Sequence, residues 1–148
     1  MTDITMLRLK LESGARFELP AAAISLVEQM AEGGGCAVVF DLGDGVEDAR
    51  LSDEYGYVKK QVLAARALGN PLEVTIVNDQ GRKGKVLLSR DRIIARREVL
   101  DGQAGVNTLL TIQQGVGAFK LQVTDTFDQM DGVESQPRPA AKRPRRGA

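Results

Sequence analysis

Leu51-Ser52-Asp53-Glu54-Tyr55 returns further along the chain as Val123-Thr124-Asp125-Thr126-Phe127. Each stretch joins the end of an apolar strand to the start of a helix. A short polar side chain can accept free backbone amides there, and carboxylates favour the positive end of the helix dipole. Upstream, Gly43-Asp44-Gly45 supplies the positive φ of a tight turn before Glu47 to Leu51, and Gly115 and Gly117 do the same before Phe119 to Val123. Downstream, Tyr55, Val58, Val62 and Ala65 follow at helical spacing, with Lys59, Lys60 and Arg66 toward the negative end. This predicts a helix capped at Ser52 and ending near Gly69-Asn70, with Pro71 preventing continuation.

Working outward, Met6 to Glu12 alternates Leu7, Leu9 and Leu11 with polar residues, and Ser13-Gly14 turns the chain into Arg16 to Leu19. That is a hairpin. The small residues Ala21 to Ala23 lead into Ile24 to Met30, whose β-branched start suits a third strand, with a short helix as the rival. Gly33 to Gly35 break any helix before Cys36-Ala-Val-Val-Phe-Asp-Leu42, the most apolar run and a central strand. From Leu72 the order recurs: Leu72 to Val77, a turn at Asp79-Gln80-Gly81, Lys83 to Leu88, Arg92 to Leu100 as the third strand and Thr108 to Gln113 as the fourth. The offset between matching positions drifts as small insertions at turns would make it.

The expected fold is therefore α+β and mostly β. It consists of two tandem strand-rich βββββα copies, residues 1–69 and 70–134, packed as a pseudo-symmetric pair. Units this small bury surface inefficiently alone, and packing together offsets that. Residues 135–148 shift to Pro, Ala, Arg and Lys with nothing to bury, and are expected to be a disordered basic tail.

One cysteine, Cys36, excludes an intramolecular disulfide and fits a reducing compartment. The N-terminus has no basic region leading into an apolar run, and no stretch approaches a membrane span, so a cytoplasmic protein without membrane association is expected. The zero net charge conceals an asymmetry. Residues 1–68 carry 7 basic and 11 acidic residues, residues 69–135 carry 8 and 9, and the tail is purely basic.

The chain has no histidine, which removes Ser-His-Asp and Cys-His catalysis and most zinc sites. No enzyme activity and no cofactor are expected. Carboxylate chemistry would require Asp41, Asp44 and Asp53 to converge in a pocket. The spacing of Asp41, Asp44, Glu47, Asp48 and Asp53 does not match a calcium loop, and a solvated turn and a helix start account for these residues. Gly33-Gly34-Gly35 precedes a strand, whereas a phosphate cradle precedes a helix. Cys36 opens an apolar strand without cationic neighbours and reads as a small buried hydrophobe.

The candidate binding residues are Arg82, Lys83, Lys85, Arg90, Arg92, Arg96 and Arg97 of the second copy, joined by Arg138, Lys142, Arg143, Arg145 and Arg146 of the tail. Together they form a stripe suited to phosphates, and a nucleic acid is the expected partner. With no Trp and six Phe and Tyr residues, base stacking is poorly supplied. The alternative is a protein-interaction module, an adaptor, assembly factor or inhibitor, docking through sheet edges or the acidic first copy. In the order of elements over residues 6 to 133 the chain is similar to the PUR-repeat and whirly families, a resemblance that implies single-stranded nucleic-acid binding on paired curved sheets. The first copy also resembles the small flagellar FlbD family through Phe17, Ile24, Val27, Gly43-Asp44-Gly45, Ser52 and Val58. These are general positions of a strand-turn-strand-helix unit, so neither resemblance assigns the chain to a family.

Overall fold

In a computed structural model, the described residues are 5–30, 35–78 and 81–132. Gly33-Gly34, Asp79-Gln80 and the tail lie outside them. The first half runs through β1 (Met6–Lys10), β2 (Arg16–Pro20), a 3-10 turn at Ala21–Ala23, β3 (Ile24–Gln29), β4 (Cys36–Asp41), β5 (Val46–Leu51) and α1 (Tyr55–Ala64). The second runs through β6 (Pro71–Val77), β7 (Lys83–Ser89), a 3-10 turn at Arg90–Arg92, β8 (Ile93–Glu98), β9 (Thr108–Gln114), β10 (Gly117–Val123) and α2 (Phe127–Met130), with a further 3-10 turn at Gln103–Gly105.

The molecule is mostly β, with a large sheet and a small one. Eight strands form an antiparallel sheet in the order β5-β4-β3-β7-β6-β10-β9-β8, and β1 and β2 form a separate hairpin. The halves meet inside the large sheet, where Leu26 faces Leu88, Val27 faces Leu87 and Glu28 faces Val86. Side chains alternate across a strand, so this joint feeds two cores. Val27 and Leu87 join Ile24, Val38, Phe40, Leu51, Val58 and Val62 in one; Leu26 and Leu88 join Val74, Val86, Leu110, Ile112 and Val123 in the other. Residues 24–27 are consecutively buried for that reason, and the segment is a strand covered on both faces.

Corresponding contacts recur between the halves. Lys10 N–H donates to Asp53 Oδ2 at 2.7 Å, and Thr75 N–H donates to Asp125 Oδ1 at 2.7 Å. Ser52 N–H donates to the Lys10 carbonyl and Thr124 N–H to the Thr75 carbonyl, each at 2.9 Å. The Cys36 thiol donates to the Asp53 carbonyl at 3.4 Å, and the Thr108 hydroxyl to the Asp125 carbonyl at 2.7 Å. A register shift falls between Ile24 and Leu26 against β4, and another between Ile93 and Ala95 against β9.

Two local expectations are corrected. Ser52 does not cap α1: its N–H and hydroxyl both donate to the Lys10 carbonyl, while the capping position is Glu54, whose side chain makes no cap bond. The strand-to-hairpin tie has taken the side chains that would otherwise serve the helix. In α2 the cap forms, Thr126 and Gln129 bonding reciprocally at 3.1 and 2.8 Å. Nor does α1 reach Gly69. It stops at Ala64 because Arg66 adopts a φ of 55° and the bonds Ala67 N–H to Val62 and Arg66 N–H to Leu63 wrap its end in a Schellman arrangement.

Candidate nucleic-acid interface

The basic residues of the second half fall at the two ends of β7. Arg82, Lys83 and Lys85 are exposed around the β6-β7 turn, held by Arg82 N–H on Asn78 Oδ1 at 2.9 Å. Arg90 and Arg92 lie in the 3-10 turn at the other end, and Arg96 and Arg97 on β8 beyond it. The length of β7 sets Lys83 about 20 Å from the 3-10 turn that holds Arg90 and Arg92, whereas Arg97 neighbours Glu98, whose row crosses Thr108, Val123 and Ile76 to Gly84. Strand pairing thus spreads the seven residues over the start of β7, the 3-10 turn after it and β8.

Several of these cations are engaged within the fold. Lys85 Nζ lies 3.8 Å from Glu73 Oε1, and Glu73 Oε2 accepts both Lys59 Nζ and the Tyr55 hydroxyl at 2.7 Å. Burial acts to raise the Glu73 carboxyl, but the bonds from Lys59 and Tyr55 outweigh it and hold the carboxyl below the ordinary glutamate range. Arg96 donates to Asp131 Oδ1 at 2.9 Å, and its guanidinium sits 4.3 Å above the Phe127 ring centroid. It thereby pins the short α2 to β8.

At the β8 end, Arg90 and Arg96 line a groove of about 210 Å³ with Leu72, Ile93, Met130 and Asp131. Arg92 borders a neighbouring groove of about 350 Å³ with Ala22, Ser89, Asp91 and Gln113. Arg97 is exposed on the strand that ends the large sheet. Opposite it in strand order, β5 and its turn carry Asp44, Glu47 and Asp48, all exposed. The large sheet thus runs from an acidic terminal strand to an arginine-rich one. Arg138, Lys142, Arg143, Arg145 and Arg146 lie outside the described residues.

The other chemistry-bearing residues serve packing and turns. Asp41 Oδ1 accepts Gly43 N–H at 2.7 Å within its own turn, and Asp53 lies beyond the far end of the β4-β5 ladder. That ladder keeps the two carboxylates about 17 Å apart, so the convergence that carboxylate catalysis would need does not occur. Cys36 is fully buried; burial, with Asp53 nearby, pushes its thiol up to about 12. Tyr55 is likewise raised, by burial first and then by its bond to Glu73. No group of three or more Cys, Asp or Glu side chains positioned for a metal occurs among the described residues. No helix among them is long and apolar enough to cross a membrane.

Two features of this site escape a sequence reading. Glu73 joins a helix of the first half to the β6-β7 hairpin of the second, and Asp131 holds Arg96 across 35 positions. Neither pairing has a local signal, since strand order alone brings the partners together. No family model matches the chain, and comparison with curated proteins and with solved structures finds none similar to it.

Proposed function

We propose that the chain is a non-enzymatic binding protein built of two tandem copies, residues 1–69 and 70–134, packed as a pseudo-symmetric pair, and that it associates with nucleic acid. The repeated Asp53-Lys10 and Asp125-Thr75 bonds support common descent of the copies, because a side chain crossing to the same backbone site in both is not dictated by strand propensity. The binding reading is carried by the Arg96-Asp131 contact. It fixes the last described turn against β8, in the groove that Arg90 also lines. Cations gathered at one end act on a phosphate chain by releasing counterions, which makes affinity salt-dependent.

The test is fluorescence anisotropy with short single-stranded and duplex DNA and RNA over a salt series. A phosphate interface of six or more contacts loses about 10³-fold in affinity between about 50 and 200 mM salt. Removing residues 136–148 together with Arg92→Ala and Arg97→Ala abolishes that dependence; Arg96 is left intact because it anchors α2. Absence of binding at low salt, or binding indifferent to these changes, overturns the reading.

A second reading, a protein-interaction module, is favoured by strands with an edge free of ladder pairing among the described residues, β2 (paired with β1) and β8 (paired with β9) among them. Such edges are templates for another strand. Failure to recover a stoichiometric partner, a second copy included, counts against it.

A further inference from the structure

We infer that the unused edges of β2 and β8 are complementary to one another and pair between two copies of this chain. The inference rests on the edge-docking reading and names its partner; its test uses Arg16 and Glu98, neither of which is assigned to nucleic acid. Its template is the joint already present, in which β3 pairs with β7. By hairpin register, Pro20 and Leu19 face Met6 and Leu7 as Ser89 and Leu88 face Pro71 and Leu72, so β2 stands where β7 stands. By the matching register shifts, Ile93 and Ala95 on β8 stand where Ile24 and Leu26 stand on β3. Leu26, Val27 and Glu28 face Leu88, Leu87 and Val86. Carried to the unused edges, that register sets Ala95 against Leu19, Arg96 against Glu18 and Arg97 against Phe17. One step further, where Lys85 N–H bonds Gln29 Oε1 in the existing joint, it sets Glu98 against Arg16.

Both new polar pairs are of opposite charge, although the corresponding positions in the existing joint hold Val27 with Leu87 and Gln29 with Lys85. Directly opposed unlike charges favour an antiparallel register, and a slip of one residue would lose both. Arg16, Glu18, Glu98 and Ala95 are exposed, and Ile94 on the same strand is 59% exposed. Each chain offers one edge of each kind, so reciprocal pairing uses both seams and closes an isologous dimer. Arg96 already bonds Asp131 within its own chain, so the seam is probed through the exposed Arg16 and Glu98.

The experiment uses the full chain in sedimentation velocity over about 1 to 100 µM, the range in which modest interfaces assemble. Wild type is expected to form a concentration-dependent dimer. Arg16→Glu and Glu98→Arg, both at exposed positions, each weaken it by about tenfold through like-charge opposition at two seams. The double variant restores it, and so does an equimolar mixture of the two single variants, because each heterodimer seam then joins unlike charges. A wild type that stays monomeric throughout, or single variants indistinguishable from wild type, overturns the inference. Rescue in the double variant without rescue on mixing also overturns it, placing the contact within one chain. Recovery of a foreign strand partner in place of the dimer would leave edge docking standing while removing self-association.

Discussion

Asp125 holds the backbone N–H of Thr75 at 2.7 Å, a contact that spans 50 positions and ties the start of α2 to the middle of β6. Asp53 makes the corresponding bond to Lys10 at the same distance, but at an exposed site. A charge-assisted bond strengthens as water is excluded, so the two are expected to differ in worth. Asp125→Ala should destabilise the protein by about 1.5–3 kcal/mol and Asp53→Ala by about 0.5–1.5 kcal/mol. Urea denaturation checks this, with Asp125→Asn recovering part of the loss.

Glu73 gives stability a pH dependence. Its carboxyl lies below the ordinary range in the folded chain, so the folded state favours the ionised form. The resulting stabilisation is complete above the unfolded glutamate range and disappears as pH falls through the lower folded value. Glu73→Gln should flatten the acid limb of a stability-pH curve measured by thermal unfolding. Lys59→Met should flatten it in part, since Tyr55 and Lys85 would still face the carboxylate.

Arg66 closes α1 with a left-handed residue, where a Cβ is penalised. Arg66→Gly is expected to stabilise the protein by about 1 kcal/mol, provided the wrapped bond from Ala67 to Val62 is retained. A fall in the midpoint of chemical denaturation would show that the arginine contributes more than its backbone costs.

Cys36 should resist modification. A fully buried thiol pushed up to about 12 is protonated at neutral pH, so alkylation at pH 8 should track opening of the fold. Thr108 fills the corresponding place and donates to the corresponding carbonyl. Cys36→Thr is therefore expected to cost less than about 1.5 kcal/mol, whereas Cys36→Asp should unfold the first core. Rapid labelling of the native protein would contradict this account.

Strand positions and turns were legible from the chain, since alternation at Leu7, Leu9 and Leu11 and the glycines around Asp44 act locally. Residues 24–29 were ambiguous for a physical reason: a strand buried on both faces loses the period that distinguishes it. The cap at Ser52 misled because its bonding groups answer to Lys10, 42 positions away. The basic cluster was legible as composition but not as a surface, because its members are spread over β7, a 3-10 turn and β8, and ion pairs with Glu73 and Asp131 engage two of them.

By itself the sequence determined the mostly β character, the order of elements, the absence of histidine chemistry and the opposed charges of body and tail. These follow from local periodicity and composition. Only the tertiary structure decided that β3 pairs with β7, that one sheet feeds two cores, and that β2 and β8 keep an outer edge unpaired among the described residues. Strand partners are chosen by packing energy summed over the whole sheet, and no local pattern encodes that sum.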